Sequence, residues 1–135
     1  KPEKILIDST NSFYLTDFGL SSHPVQPNRG ITGPKGTPEY IAPDMFLQKE
    51  YGYLSDIWSL GIMAYELRCG YLCYYFKRKY ELVQHLKTKN IKIRFDDSKF
   101  TPNQIKMING MLQINPEKRI RMDELNNHYV LLETI

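Results

Sequence analysis

The stretch SDIWSLGIMAYELRCG, residues 55–70, decides the fold of this 135-residue chain. Ser55 is a candidate N-cap, Asp56 suits the positive end of a helix, and Gly70 can end one. Apolar residues cover two faces between these ends: Leu54, Ile57, Trp58, Ile62 and Tyr65 on one, and Leu60, Met63, Ala64 and Leu67 on the other. A helix that is apolar nearly all round is buried, so we expect a central helix packed within other elements.

The segments on either side of this helix predict what surrounds it. Apolar periodicity predicts helices over 78–88, 102–113 and 122–128, and a short helix around 40–47. Before them, ILI (5–7) and FYLT (13–16) are β-prone and are separated by turn-forming DSTNS, which predicts a hairpin. Residues 20–38 carry four Pro and three Gly without periodicity, and loops this long are usually functional or disordered. The predicted fold class is mainly α, one β-hairpin followed by a helical bundle, in one domain, 1–135.

Composition excludes several classes of function. The formal charge of +3 is too small to indicate nucleic-acid binding. The longest apolar run, YLCYYF, is far below the roughly 20 residues of a spanning helix, and the N-terminus has no apolar signal-peptide region. Cys69 and Cys73 form no disulfide framework, and the three histidines lack metal-ligand spacing. We expect free thiols in an intracellular, cytoplasmic protein, with no nucleic acid and no membrane span; nothing indicates the oligomeric state.

The stretch LTDFGLSS, residues 15–22, raises a chemical question about Asp17. An aspartate two residues before a glycine is typical of a turn, in which its side chain bonds the following backbone. The same carboxylate beside nucleotide phosphates would be a ligand that Mg²⁺ prefers. Residue type alone leaves both interpretations open.

Five motifs in order resemble the C-terminal lobe of a protein kinase. They are KPEK (1–4), DFG (17–19), GTPEYIAPD (36–44), SDIWSLG (55–61) and NPEKRI (115–120). The lysine in KPE and the sequence GTPEY are similar to Ser/Thr kinases, and the general character is similar to the AGC group. The resemblance implies transfer of the ATP γ-phosphate to Ser/Thr hydroxyls of a protein substrate, with ATP and Mg²⁺ as cofactors.

The resemblance also implies catalytic roles for individual residues. Asp17 would be the metal ligand, and Lys1 would offer its ammonium to the transferred phosphate. Thr37 would link the loop before the A-P-E region to the catalytic residues. Without the register of motifs, Lys1 would be a solvated charge and Thr37 an ordinary loop hydroxyl.

Residues around Asp17 receive roles in nucleotide binding and in switching. Leu6 resembles the leucine that packs under the adenine ring, although core strand residue describes it equally well. Phe18 resembles the packing switch between active and inactive loops, which overlaps with a place in the core. Gly19 would let the backbone turn sharply after Asp17.

The remaining roles are structural or regulatory. Asp44 and Arg119 resemble the partners of a partly buried, bidentate ion pair beneath the activation segment. Asp56 resembles the aspartate that holds the catalytic loop through its backbone, and it also suits the first turn of a helix. Within the long loop Thr32 is the candidate phosphosite, with Ser21 and Ser22 behind it.

Four departures from the family pattern bear on function. Lys4 occupies the position of the asparagine that binds the second Mg²⁺, and a cation there should repel that ion, so its cofactor-binding role is doubtful. Because Lys4 and Asp17 flank the same hairpin, we expect the Lys4 ammonium to take the place of that ion and pair with Asp17. Asp44 is one methylene shorter than the usual Glu. Cys73 stands where a Pro is usual, and YV follows His128 where Pro-Trp is usual.

The chain begins after the position of the catalytic Asp, and it contains no Gly-rich loop, β3 Lys or Glu partner. We therefore expect a piece of a longer protein that is inactive as residues 1–135 alone. Three interpretations compete: a fragment of an ATP-dependent Ser/Thr kinase, a pseudokinase or regulatory kinase-like module, and a helical binding domain unrelated to kinases. The second would bind a partner through residues 78–95 or through the activation segment.

Overall fold

The structure, a computed structural model, describes residues 1–26, 29–47, 50–88 and 91–127. It begins with an antiparallel hairpin, β1 (Ile5–Ile7) and β2 (Phe13–Leu15), in which Leu6 pairs with Tyr14. The described α-helices are α1 (Asp44–Leu47), α2 (Leu54–Cys69), α3 (Lys79–Lys87), α4 (Pro102–Met111) and α5 (Met122–Asn126). Short 3-10 turns cover Pro2–Lys4, Pro38–Tyr40 and Pro116–Lys118. A mainly α fold with one two-stranded sheet is therefore confirmed.

Helix α2 lies at the centre, as its sequence predicts, but its N-terminus differs from expectation. The helix begins at Leu54 without a side-chain cap, and Ser55 lies inside it. The prediction that Ser55 caps the helix is wrong, because its hydroxyl donates to the Asp44 carboxylate instead. At the other end Gly70 adopts φ 82°, a left-handed conformation that glycine tolerates well, and its N–H bonds the Glu66 carbonyl.

One face of α2 forms the core with α4, and the other is only partly covered. The buried cluster consists of Ala42, Ile57, Trp58, Ile62, Tyr65, Leu82, Leu86, Phe100, Met107, Ile108, Met111, Leu112 and Leu125. On the second apolar face Leu67 is 74% exposed. The helix is thus buried along one stripe rather than all round.

The other predicted elements are present, with shifted bounds. The helices expected over 78–88 and 102–113 are α3 and α4, and the latter starts with a capping box between Thr101 and Gln104. The helix expected around 40–47 is divided into the turn Pro38–Tyr40 and α1, since Pro43 between them lacks an N–H. Of the helix expected over 122–128, α5 ends at Asn126, and residue 128 lies outside the described residues. No described helix is long and apolar enough to cross a membrane.

The hairpin stands apart from this core. Its turn is closed by Asp8, whose Oδ1 accepts bonds from the N–H groups of Thr10 and Ser12 at 2.8 and 3.0 Å. None of the strand residues is buried. The two strands and the segment that follows them therefore present apolar side chains to the surface.

The long loop 20–38 is anchored where it is described. Ile31 and Tyr51 exchange backbone hydrogen bonds of 3.2 and 2.9 Å, and the Tyr51 hydroxyl donates to the Gly33 carbonyl at 2.9 Å. Thr32 lies between these two attachments and is exposed. The loop is thus tied to the segment just before α2.

A buried ion pair joins Asp44, at the start of α1, to Arg119, in the segment between α4 and α5. Arg119 Nη2 lies 2.7 Å from Asp44 Oδ1, and the side chains are 0% and 2% exposed. The pairing expected from the motifs is therefore present, but the bidentate geometry expected for it is not. Only one nitrogen reaches Asp44, because the others serve backbone carbonyls.

The remaining donors of Arg119 hold two further segments. Nη1 donates to the Leu54 carbonyl at 2.5 Å, and Nε and Nη2 donate to the Gln113 carbonyl at 3.1 and 2.9 Å. The guanidinium carbon also lies 5.4 Å from the centre of the Trp58 ring, within the range of a cation–π contact. One side chain thus ties α1, α2 and the segment after α4.

We predict that Arg119→Ala destabilises the fold far more than Arg121→Ala. Removing one partner of a buried pair costs about 3–5 kcal/mol, and the single contact to the short Asp44 places the loss near 3 kcal/mol. Arg121 is a matched control, because it pairs with Asp123 at 3.6 Å on an exposed surface. Urea unfolding midpoints measure both variants, and equal midpoints would contradict the role of the buried pair.

We also predict that Gly61→Ala is destabilising by about 1–3 kcal/mol, the cost of overpacking a core. A Cβ at Gly61 would lie 2.8 Å from Met111 Cβ and 2.9 Å from Leu112 Cδ2, where α2 crosses α4. Gly110→Ala is the control, since its Cβ would meet Ile120 at an ordinary 3.5 Å and gain the same helix propensity. Thermal denaturation of both variants tests this, and an unchanged Tm for Gly61→Ala would rule out a close helix crossing.

Candidate functional site

Asp17 lies two residues after β2 and adopts a left-handed backbone conformation, φ 63°. Its Oδ1 accepts the Gly19 N–H at 3.3 Å, so the turn interpretation describes its local geometry. Gly19 itself does not adopt a left-handed conformation. The sharp turn expected at Gly19 is thus made by Asp17, and a Cβ at Gly19 would lie 3.3 Å from Asp17 Oδ1.

The second carboxylate oxygen of Asp17 contacts Lys4. Lys4 Nζ lies 2.5 Å from Asp17 Oδ2, and the two side chains are 40% and 52% exposed. The hairpin brings them together, since Thr16 donates its N–H to the Lys4 carbonyl at 2.9 Å. An ion pair between the residue at position 4 and Asp17, which the sequence predicts, is therefore confirmed.

Charge around Asp17 favours its ionised form. The hydrogen bond from Lys4 is the main cause, and with the Gly19 N–H it lowers the pKa of the Asp17 carboxyl. Asp17 consequently carries its full negative charge at neutral pH. That charge is already partly neutralised by the ammonium of Lys4.

Lys1 and Thr37 do not contact Asp17 directly in the described structure. Thr37 opens the turn Pro38–Tyr40, and its hydroxyl makes no capping bond. Lys1 precedes the turn Pro2–Lys4, and its carbonyl accepts the Lys4 N–H at 3.0 Å.

The segment that carries Thr37 is linked to α2 by a hydrogen bond that the motifs do not reveal. The Tyr40 hydroxyl donates to Glu66 Oε2 at 2.6 Å, and burial raises the pKa of Tyr40. Ser59 Oγ donates to the Tyr40 carbonyl at 2.7 Å. A glutamate on a largely apolar helix was the one sequence signal for this contact. Tyr40, Ser59 and Glu66 thus hold the loop that carries Thr37.

The two apolar residues assigned to the site are both open to solvent. Leu6 is 56% exposed and Phe18 is 64% exposed. The interpretation that either side chain lies in the core is wrong, because no described element covers that side of the hairpin. Their roles in adenine packing and in switching stay predictions.

Asp56 and Thr32 are also accessible. The Asp56 side chain has no hydrogen bond within the described residues, and surrounding protein raises the pKa of its carboxyl by desolvation. A carboxylate of this kind is able to accept backbone N–H groups, as the resemblance implies. In the same loop Lys35 Nζ donates to Ser22 Oγ at 3.1 Å, whereas the Thr32 hydroxyl makes no hydrogen bond within the described residues.

The described residues contain no group of three or more His, Cys, Asp or Glu side chains that would hold a metal ion. Cys69 and Cys73 are free thiols, as expected. Mg²⁺ beside a nucleotide needs only one or two protein carboxylates, with phosphate oxygens and water completing its shell. Asp17 therefore suits one such ion, whereas the ammonium at position 4 does not suit a second.

Comparison with known proteins agrees with the order of the motifs. The family model described as protein kinase domain matches residues 1–131. CBL-interacting protein kinase 8 of Oryza sativa subsp. japonica is 39% identical over 132 residues, which cover 94% of this chain and 28% of that protein. Serine/threonine-protein kinase Sgk1 of Xenopus tropicalis is 33% identical over 132 residues, 95% of this chain and 31% of that protein.

A third relative, maternal embryonic leucine zipper kinase of Xenopus laevis, is 34% identical over 134 residues, which cover 95% of this chain and 20% of that protein. The chain thus spans less than a third of the length of these curated relatives. Similarity to the AGC group stays a prediction. The match along nearly the whole chain shows that it belongs to the eukaryotic protein kinase family, of the serine/threonine type.

Proposed function

We propose that residues 1–135 are the C-terminal lobe, from the catalytic loop onward, of an ATP-dependent protein kinase that phosphorylates Ser/Thr hydroxyls of proteins. The observation that carries this proposal is the exposed Asp17 carboxylate, held beside position 4 at the end of the hairpin. In this family fold the same two positions bind the nucleotide's metal ions. The protein substrate and ATP would meet on this side of the helical bundle.

Asp17 would hold a single Mg²⁺ together with the phosphates of ATP. That ion, when bound with ATP, would neutralise charge on the phosphate oxygens. Lys4 would have to release Oδ2 or share it, which lowers the affinity of Asp17 for the ion. The proposed enzyme is therefore a weak kinase that uses one metal ion.

Lys1 and Thr37 would complete the site from the other side. The Lys1 ammonium would face the transferred phosphate and stabilise charge on its equatorial oxygens. Thr37 would position the substrate hydroxyl's segment, supported by the bond between Tyr40 and Glu66. Asp56 would accept backbone N–H groups of the catalytic loop, and Thr32 would be the regulatory phosphosite.

A second candidate is a pseudokinase or regulatory kinase-like module, and the Lys4–Asp17 pair specifically favours it. An ammonium 2.5 Å from Oδ2 satisfies the carboxylate, and it would compete with a metal ion for that oxygen. Such a protein would bind nucleotide weakly or not at all and act through a partner. The two candidates differ in what removal of the ammonium does.

We predict that purified residues 1–135 transfer no measurable phosphate from ATP to a generic protein substrate. These residues supply neither a Gly-rich cover for the phosphates nor the β3 lysine. The open apolar side chains of Leu6 and Phe18 should also make this piece associate. A radiometric assay and sedimentation velocity test both points, with circular dichroism to show that the sample is folded. Activity in homogeneous material would contradict the prediction.

We predict that Lys4→Asn in the full-length protein raises phosphoryl transfer and lowers the Mg²⁺ concentration required. The substitution removes a cation from Asp17 and restores an oxygen ligand. The pKa of the Asp17 carboxyl, followed by NMR, should rise toward its ordinary value, because the bond from Lys4 is the main cause of its lowering.

Lys106→Asn is the matched control, because Lys106 is exposed on α4 and its substitution removes the same charge. It should change neither the Mg²⁺ dependence nor the titration of Asp17. The enzyme proposal fails if Lys4→Asn leaves an inactive protein inactive and Asp17→Ala alters neither Mg²⁺ nor ATP binding. Asp17 would then be a turn residue alone.

A further inference from the structure

A cavity of about 320 Å³ lies where the C-terminal end of α2 faces the segment that joins α3 to α4. This volume is at the lower end of the range of about 300–1,000 Å³ that is typical of ligand pockets. The cavity is lined by Tyr65, Tyr71, Cys73, Lys92, Arg94, Phe95 and Asp96. None of these residues belongs to the candidate site around Asp17.

Aromatic rings form the wall of this cavity. Tyr65 meets Phe95 edge to face at 5.6 Å between ring centres, and it meets Tyr71 in the same way at 6.3 Å. Phe95 packs in turn on buried Phe100 at 5.1 Å. The inner rings are fixed by the core, whereas Tyr71 is 52% exposed at the outer side. Such a wall favours an aromatic or apolar group.

Two cations stand at the rim. Lys92 and Arg94 are exposed and alternate with half-buried Ile91, Ile93 and Phe95, so both project to solvent from an extended segment. The Tyr65 hydroxyl donates to the Arg94 carbonyl at 2.7 Å, which fixes this segment against α2. Within the described residues neither cation is in an ion pair.

A third cation lies close to the wall, and the three cations outnumber the acidic residues of this segment, Asp96 and Asp97. Lys99 Nζ lies 5.0 Å from the centre of the Tyr71 ring. The Asp96 carboxylate is the acidic group of the lining, and its Oδ1 accepts the N–H and hydroxyl of Ser98 at 2.9 and 2.6 Å. Burial raises the pKa of the Cys73 thiol to about 12, so this thiol is neutral at pH 7.

Charge along the sequence is concentrated in the same region. Residues 77–99 contain eight Lys or Arg against three Asp or Glu, whereas the rest of the chain contains ten against twelve. The basic character of the whole chain is therefore supplied by this one segment. Surplus positive charge of this kind attracts acidic partners and speeds their encounter.

We infer that this cavity is a docking site for an acidic segment of a partner protein, which places an aromatic side chain in the cavity and flanking carboxylates on Lys92 and Arg94. Arginine suits this role, because its guanidinium accepts a carboxylate in a two-pronged bond. The concave, ring-lined shape favours an inserted side chain over a flat lipid surface. Docking here does not depend on phosphoryl transfer at Asp17.

The test uses the full-length protein and a fluorescein-labelled peptide, Gly-Glu-Glu-Phe-Glu-Glu-Gly, with binding measured by fluorescence anisotropy. The double variant Lys92→Glu, Arg94→Glu should weaken binding about tenfold or more, because it turns attraction into like-charge repulsion. The control Lys106→Glu, Lys118→Glu changes the net charge equally at exposed positions outside this cavity, and it should stay within about twofold of the parent.

The cavity itself is tested by Tyr71→Ala, which is tolerable because Tyr71 is half exposed. This variant should weaken the Phe peptide severalfold and leave the same peptide with Ala for Phe unaffected. Equal losses in the two double variants would overturn the inference in favour of non-specific attraction. Absence of any binding of the peptide to the parent protein would also overturn it. So would binding of the parent protein to phosphatidylserine vesicles that is lost only in the Lys92→Glu, Arg94→Glu variant, because the surface would then recognise lipid.

Discussion

The guanidinium of Arg119 is the contact on which the arrangement of the helices depends. It is buried, and it bonds the Asp44 carboxylate together with carbonyls of Leu54 and Gln113. A buried charge is tolerated only where its donors are satisfied, so the three partners must hold their positions together. The start of α1, the start of α2 and the segment after α4 are thereby fixed relative to one another.

The same ion pair is connected by hydrogen bonds to the segment that carries Thr37. Asp44 Oδ2 accepts the hydroxyl of Ser55, and four residues later Ser59 bonds the Tyr40 carbonyl. Tyr40 in turn bonds Glu66 on the same helix. Helix α2 therefore fixes the segment at Tyr40 and at Asp44. Trp58 of the same helix packs against Arg119.

Periodicity and turn chemistry predicted the elements well, because each of them has a clear apolar stripe or a strong breaker. The hairpin, α2, α3 and α4 lie within a few residues of their expected bounds. The failures concern hydroxyls and donors that choose between local and distant partners. Ser55 suits a helix cap, but a buried carboxylate 11 residues away takes its hydrogen bond. A bidentate contact between Arg119 and Asp44 was expected, but most donors of Arg119 bond backbone carbonyls, which carry no sequence signal.

The candidate site shows the same division. The contact between Lys4 and Asp17 was predictable. The hairpin register places position 4 opposite Thr16, next to Asp17, and the ammonium and the carboxylate attract each other. The bond between Tyr40 and Glu66 was not predictable, because 26 residues separate two side chains with no shared motif.

The hairpin that carries Asp17 has a thermodynamic consequence of its own. Within the described residues the hairpin has no third strand and no buried face, and a two-stranded hairpin of this kind has little stability independent of its surroundings. The hairpin should therefore open locally at a free energy well below that of global unfolding, while α2 opens only with the whole domain. Any molecule that covers its apolar face also shifts the population in which Asp17 is aligned. Occupancy of that face and affinity at the carboxylate are thus coupled in free energy, and the coupling acts equally in both directions.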